Sequence, residues 1–121
     1  MGHVHTGQVA YHSGLSAERC VADRYQRQGY EVLHHRWRGA AGEIDLITRR
    51  DDVIVFVEVK HARTLDAAAQ RLSQRQVARI LQSADEFLGA QPNGTLSDAR
   101  IDVALVDRMG ACRVLENAVF G

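Results

Sequence analysis

The run Val53-Ile54-Val55-Phe56-Val57-Glu58-Val59-Lys60 constrains this chain more than any other stretch. Side chains alternate faces along a strand, so Val53, Val55, Val57 and Val59 form one apolar side and Ile54, Phe56, Glu58 and Lys60 share the other. A strand apolar on both faces belongs inside a sheet covered on both sides. Glu58 and Lys60 then point together from the end of a buried strand, where charges are costly unless paired or bound to a metal.

The preceding Glu43-Ile44-Asp45-Leu46-Ile47 reads as the first strand of a hairpin, 43–49 against 53–60, turning at Asp51-Asp52. Alternation puts Glu43, Asp45 and Ile47 on one face, and Ile44 and Leu46 on the other. An even loop of two or four residues sets Arg50 against Val53, Asp45 opposite Glu58 and Glu43 opposite Lys60, whereas an odd loop sends the two carboxylates to opposite faces. Directly opposed side chains have Cβ atoms roughly 4.5 to 5.5 Å apart. At that distance two bare carboxylates repel until one takes a proton, whereas Mg²⁺ or Mn²⁺ stabilises both in their charged form. Lys60 beside them can act as a point cation on a phosphate or on the water that attacks it. The same three residues could also form a cross-strand salt-bridge ladder. Against that stands the choice of cation: fourteen of the fifteen basic residues are Arg, and Lys60 is the only Lys.

The other elements follow from periodicity. Ala17, Cys20, Val21 and Tyr25 predict a helix from about Ser16 to Gln28, stopped by Gly29. Glu18 then sits in its first turn, where the helix dipole alone accounts for a carboxylate. Residues 30–37 read as a strand closed by Gly39-Ala40-Ala41-Gly42, with Trp37 in the core. A loop at 61–66 precedes a capping box at Ser73–Gln76 and a helix carrying Val77, Ile80, Leu81, Ala84, Phe87 and Leu88, ended by Gly89, Pro92 and Asn93-Gly94. Ile101, Val103 and Leu105 mark a strand, 107–110 a turn and 112–116 a last strand. The order α-β-β-β-α-β-β describes an α/β domain with a central mixed sheet and helices on either side.

With 121 residues, 45% of them apolar, the chain is expected to form one domain over residues 15–121 behind a flexible lead at 1–14. Without an apolar span or a secretory leader, the expected location is the cytoplasm, away from membranes. Cys20 and Cys112 fit no ligand or disulfide framework and read as free thiols, and the six His residues carry no metal pattern. Fifteen basic and fifteen acidic residues cancel, so any nucleic-acid surface must be a local patch. Arg36, Arg38 and Arg63 flank the proposed site and are the candidates for it, beside their reading as solvated surface arginines.

Gly42-Glu43-Ile44-Asp45-Leu46-Ile47, Val55-Phe56-Val57-Glu58-Val59-Lys60 and Arg100-Ile101-Asp102-Val103 together resemble the YraN-type predicted endonucleases, relatives of archaeal Holliday-junction resolvases. The likeness spans residues 15–105 and includes Glu18-Arg19-Cys20-Val21-Ala22, Gly29-Tyr30 and Arg36-Trp37-Arg38. It implies a restriction-endonuclease-like core and a PD-(D/E)xK site for DNA, by analogy branched DNA. It also implies Mg²⁺ or Mn²⁺ on Asp45 and Glu58, Lys60 as catalytic residue, Glu18 as a further acid of the site, and a homodimer. Glu43 matches a characteristic position without an established role. Ala17 and Gln76 depart from the family pattern, the latter standing where Lys is common. Gln76 could support the site or serve only as capping partner of Ser73. The competing reading is a non-catalytic nucleic-acid-binding or adaptor protein that keeps the nuclease fold.

Overall fold

The computed structural model describes residues 6–92 and 98–118, with side chains from residue 16 onward. Its elements are α1 (Thr6–Arg27), β1 (Glu31–Arg38), β2 (Glu43–Arg50), β3 (Val53–His61), α2 (Leu65–Ala69), α3 (Gln74–Gly89), β4 (Asp98–Val106) and β5 (Cys112–Leu115). The five strands form one sheet in sequence order, with β3 and β4 parallel and every other neighbour antiparallel. The expected α/β fold with a mixed, helix-flanked sheet is therefore the one observed. His3 and His5 at the start and the Asn93-Gly94 turn lie outside the described residues.

Both faces of β3 are covered, as its composition requires. Val55 and Val57 are buried with Leu46, Ala104 and Val106 beneath Ala17, Val21, Ala22 and Tyr25 of α1. Ile54 and Phe56 are buried on the opposite side with Ile80, Ala84 and Phe87 of α3. Phe87 meets Phe56, Trp37 and His34 edge to face at centroid distances of 5.8, 5.3 and 5.5 Å, which places Trp37 in the core. The short α2, where the sequence suggested a loop, covers Val103 and Leu105 with Ala62 and Ala68. Thr64 caps its start by accepting the Ala67 N–H. The box at Ser73 and Gln76 forms in both directions, so Gln76 is the partner of Ser73.

Two expectations need correction. Helix α1 begins at Thr6, so residues 6–14 are helical and Glu18 lies about three turns inside the helix. The dipole explanation for Glu18 therefore fails. Gly7 and Gly14 lie in this stretch, but each costs only about 1 kcal/mol in a helix, and extending a formed helix adds one hydrogen bond per residue. The C-terminal stop is as expected: Gly29 has φ +90° and the Tyr30 N–H reaches back to the Tyr25 carbonyl at 3.0 Å.

The second correction concerns β2. Ile44 does not share a face with Leu46; it packs with Ile47 on the α3 side. Across the ladder, Arg36 lies between the pairs His35–Leu46 and Trp37–Ile44, facing Asp45, and has φ +54°. That left-handed backbone interrupts the alternation of β1 at the rung where β2 also breaks, so both strands exchange faces together. An alternation rule cannot anticipate such a rung.

Candidate active site

The hairpin register puts the acids together. Arg50 pairs with Val53 across a two-residue turn in which Asp51 has φ +55°, and the regular ladder continues as far as Leu46–Val57. Counting one rung further sets Asp45 against Glu58. There the strands no longer pair through their backbones. Instead the Asp45 carboxylate accepts the Val59 N–H at 2.8 Å, lying in the plane of the sheet between β2 and β3.

Glu58 is 4% exposed. Its Oε2 receives Lys60 Nζ at 3.2 Å and Arg79 Nη2 at 3.6 Å, while its Oε1 is buried with no hydrogen-bond partner among the described residues. Such an orphaned carboxylate oxygen is expensive to bury. Burial first, and then the charge of Glu58 together with a side-chain hydrogen bond to it, push the Asp45 carboxyl up to about 7; the Val59 N–H and Lys60 oppose that shift. Glu58 has two cations beside it and Asp45 has mainly a backbone N–H, so the proton that relieves their repulsion belongs on Asp45.

Arg79 was not among the residues expected from the sequence. It reaches the site from α3 through a passage that residue 42 leaves open: a Cβ there would stand 2.5 Å from Arg79 Cδ. The Gly39–Gly42 connection is fastened to the same helix. Ser83 Oγ donates to the Gly42 carbonyl at 3.3 Å, and Glu86 Oε1 accepts the Ala40 N–H at 2.9 Å. The only available signal was helical spacing, since Arg79, Ser83 and Glu86 recur at i, i+4 and i+7 on one side of α3.

Other candidates lie apart. Glu18 is bound by Arg36, Nε to Oε1 at 3.0 Å and Nη2 to Oε2 at 3.3 Å. The two border a cleft of about 460 Å³ between α1 and β1, together with Arg19, Asp23 and His35, but without Asp45, Glu58 or Lys60. Glu43, expected opposite Lys60, pairs with Arg38 at 3.7 Å because the β2–β3 ladder has ended before it. Arg63 is exposed just beyond β3. No group of three His, Cys, Asp or Glu suited to a metal ion occurs among the described residues. The pair Asp45 and Glu58 nevertheless fits a divalent cation: both are hard oxygen donors, Glu58 Oε1 has no hydrogen-bond partner among the described residues, and the burial and crowding of the two raise the Asp45 carboxyl.

Asp102 is buried too, but it is fully engaged. It accepts the Tyr25 hydroxyl at 2.6 Å, the Arg100 Nε at 3.0 Å and the Asn117 N–H at 3.0 Å. It ties α1, β4 and the end of β5 together in mid-strand. Cys20 and Cys112 are free thiols beside one cleft under α1, and burial pushes the Cys112 thiol up.

The sequence profile of "Uncharacterised protein family UPF0102" matches residues 17–106, which include Glu18, Asp45, Glu58, Lys60 and Arg79. The chain belongs to this family. A UPF0102 protein of Roseobacter denitrificans is 49% identical over 116 residues, covering 96% of this chain and 90% of the relative. One from Cereibacter sphaeroides is 50% identical over 113 residues, covering 93% and 97%. One from Ruegeria pomeroyi is 48% identical over 106 residues, covering 88% and 86%. The chain thus spans nearly the whole length of these UPF0102 relatives. No helix among its described residues is long and apolar enough to cross a membrane.

Proposed function

We propose that this UPF0102 protein is a divalent-metal-dependent endonuclease that hydrolyses phosphodiester bonds in DNA. The observation that carries the reading is the buried Glu58 carboxylate, with one unpartnered oxygen, beside Asp45 and Lys60. The resemblance to YraN-type endonucleases supports it and suggests branched DNA as substrate and a homodimer as the acting unit. Asp45 and Glu58 would hold Mg²⁺ or Mn²⁺, with Glu18 a further acid if it leaves Arg36. The cation would supply Lewis-acid polarisation of the phosphate. Lys60, kept in place by Glu58, presents a compact positive charge to a phosphate oxygen or to the attacking water. Phe56 and Val57, fully buried on opposite faces of β3, keep bulk water from the strand that leads to Glu58.

The second reading is a non-catalytic nucleic-acid-binding or adaptor protein. It is favoured by the Glu18–Arg36 pair, which leaves two rather than three acids at the site. Incubating wild type and Lys60→Ala with branched and linear DNA in Mg²⁺ and Mn²⁺ separates the two. Cleavage by wild type that Lys60→Ala loses supports the nuclease. No cleavage by wild type, or equal cleavage by both, leaves the adaptor.

A further inference from the structure

The cationic side of the site is unevenly built. Glu58 Oε2 takes the contacts of two positive groups, while the buried Oε1 has no hydrogen-bond partner among the described residues. Of the two cations, Lys60 is the enclosed one, with 12% of its side chain exposed, and lies closer. Arg79 has 39% of its side chain exposed, lies 3.6 Å from Glu58, and has a buried Nε without a hydrogen-bond partner among the described residues. A guanidinium has five donors in a rigid fork and is at its best bidentate. Here it is held by its stem, which runs past Gly42, rather than by its head group.

Charge points the same way. Asp45 and Glu58 are balanced by Lys60 and Arg79 when both acids are ionised. Addition of a divalent cation to that set leaves two surplus positive charges, which an incoming phosphodiester would meet. Arg79, the more exposed of the two cations and the one with the longer contact, is the member a cation on Glu58 would displace.

We propose that Arg79 is a built-in counter-ion of the acid pair, which competes with a divalent cation for Glu58 and is released by that cation to take an anionic oxygen of the substrate. This rests on the metal-site reading above. Arg79 is thus a positioning residue while it holds Glu58 and a substrate-binding residue once released. Linkage makes the two events reciprocal, so metal and phosphate must strengthen one another's binding through Arg79.

The test uses the full chain and two probes, Mn²⁺ alone and a dinucleotide bearing a 5′-phosphate, with wild type, Arg79→Met and Arg79→Lys. Circular dichroism and thermal melts check that each variant is folded. Removing a positive charge a few ångströms from the ion should tighten Mn²⁺ binding to Arg79→Met on the order of tenfold, with Arg79→Lys close to wild type. Mn²⁺ should tighten dinucleotide binding to wild type and Arg79→Lys, and Arg79→Met should lose that gain. Equal Mn²⁺ affinity in wild type and Arg79→Met overturns the competition. An undiminished dinucleotide gain in Arg79→Met overturns the release. Absence of Mn²⁺ binding in every folded variant overturns this inference together with the metal-site reading, whereas a wild type that binds Mn²⁺ keeps the two failures distinct.

Discussion

The Asp45 carboxylate accepts the backbone N–H of Val59 at 2.8 Å, just beyond the last regular pair of the β2–β3 ladder. One side chain therefore closes the hairpin end and faces Glu58. Asp45→Ala should lower stability by about 1–3 kcal/mol, because the Val59 N–H loses its acceptor. Asp45→Asn keeps an acceptor without the charge and should be at least as stable as wild type at pH 8, while losing Mn²⁺ binding. Urea unfolding at pH 8 measures the first pair of outcomes. An unchanged midpoint for Asp45→Ala would show that this hydrogen bond does not hold the strands.

The raised Asp45 carboxyl makes stability depend on pH. Its folded value is about 7 against an ordinary 3.8, so between those values the folded state binds more protons than the unfolded one. The resulting stabilisation is complete below about pH 4 and is lost as pH rises through about 7. The wild-type urea midpoint should thus fall from pH 5 to pH 8 relative to that of Asp45→Asn. Mn²⁺ should restore it at pH 8 more than at pH 5, since at the lower pH it must displace a proton. Parallel pH profiles for the two proteins would contradict the assignment of the proton to Asp45.

Gly42 is required by Arg79 as well as by its own backbone. Its φ is +147°, and a Cβ would stand 2.5 Å from Arg79 Cδ. Gly42→Ala should cost about 1–3 kcal/mol and displace the guanidinium from Glu58. The pairing of Gly42→Ala with Arg79→Ala should be less destabilising than the sum of the two. Strict additivity in that double-mutant cycle would mean that the two residues do not share the passage.

Buried carboxylates in this protein divide into two kinds, and mutation should tell them apart. Removing Asp102 takes away the acceptor of the Tyr25 hydroxyl and the Asn117 N–H and leaves Arg100 with only Tyr30 and Glu116 as partners among the described residues, so Asp102→Ala should lose about 3–5 kcal/mol. Glu58→Gln should cost far less stability yet abolish Mn²⁺ binding. Comparison of melting temperatures with Mn²⁺ titrations checks both. Normal stability in Asp102→Ala would remove the distinction.

Much of the site was legible in the sequence because β3 states its own surroundings. Four valines on one face and Ile54 with Phe56 on the other demand cover on both sides, and that burial gives Glu58 and Lys60 their meaning. The sequence left the loop at Asp51-Asp52 open between even and odd lengths; the two-residue turn observed there is what brings Asp45 to Glu58. Glu18 was legible as an acid on helix one, but not its place within that helix, because weak propensities at Gly7 and Gly14 do not decide where a propagating helix begins.

What the sequence determined by itself is periodic and local: the two faces of β3, the capping box and the solitary Lys60. What only the tertiary structure decided depends on contacts between distant segments. Arg36 turns its backbone left-handed and holds Glu18, 18 residues away. Arg79 passes beneath Gly42 to reach Glu58 from another element. Neither contact has a period or a spacing, because each arises where separately folded surfaces meet. The orphaned oxygen of Glu58, on which the function proposed here turns, is the product of that meeting.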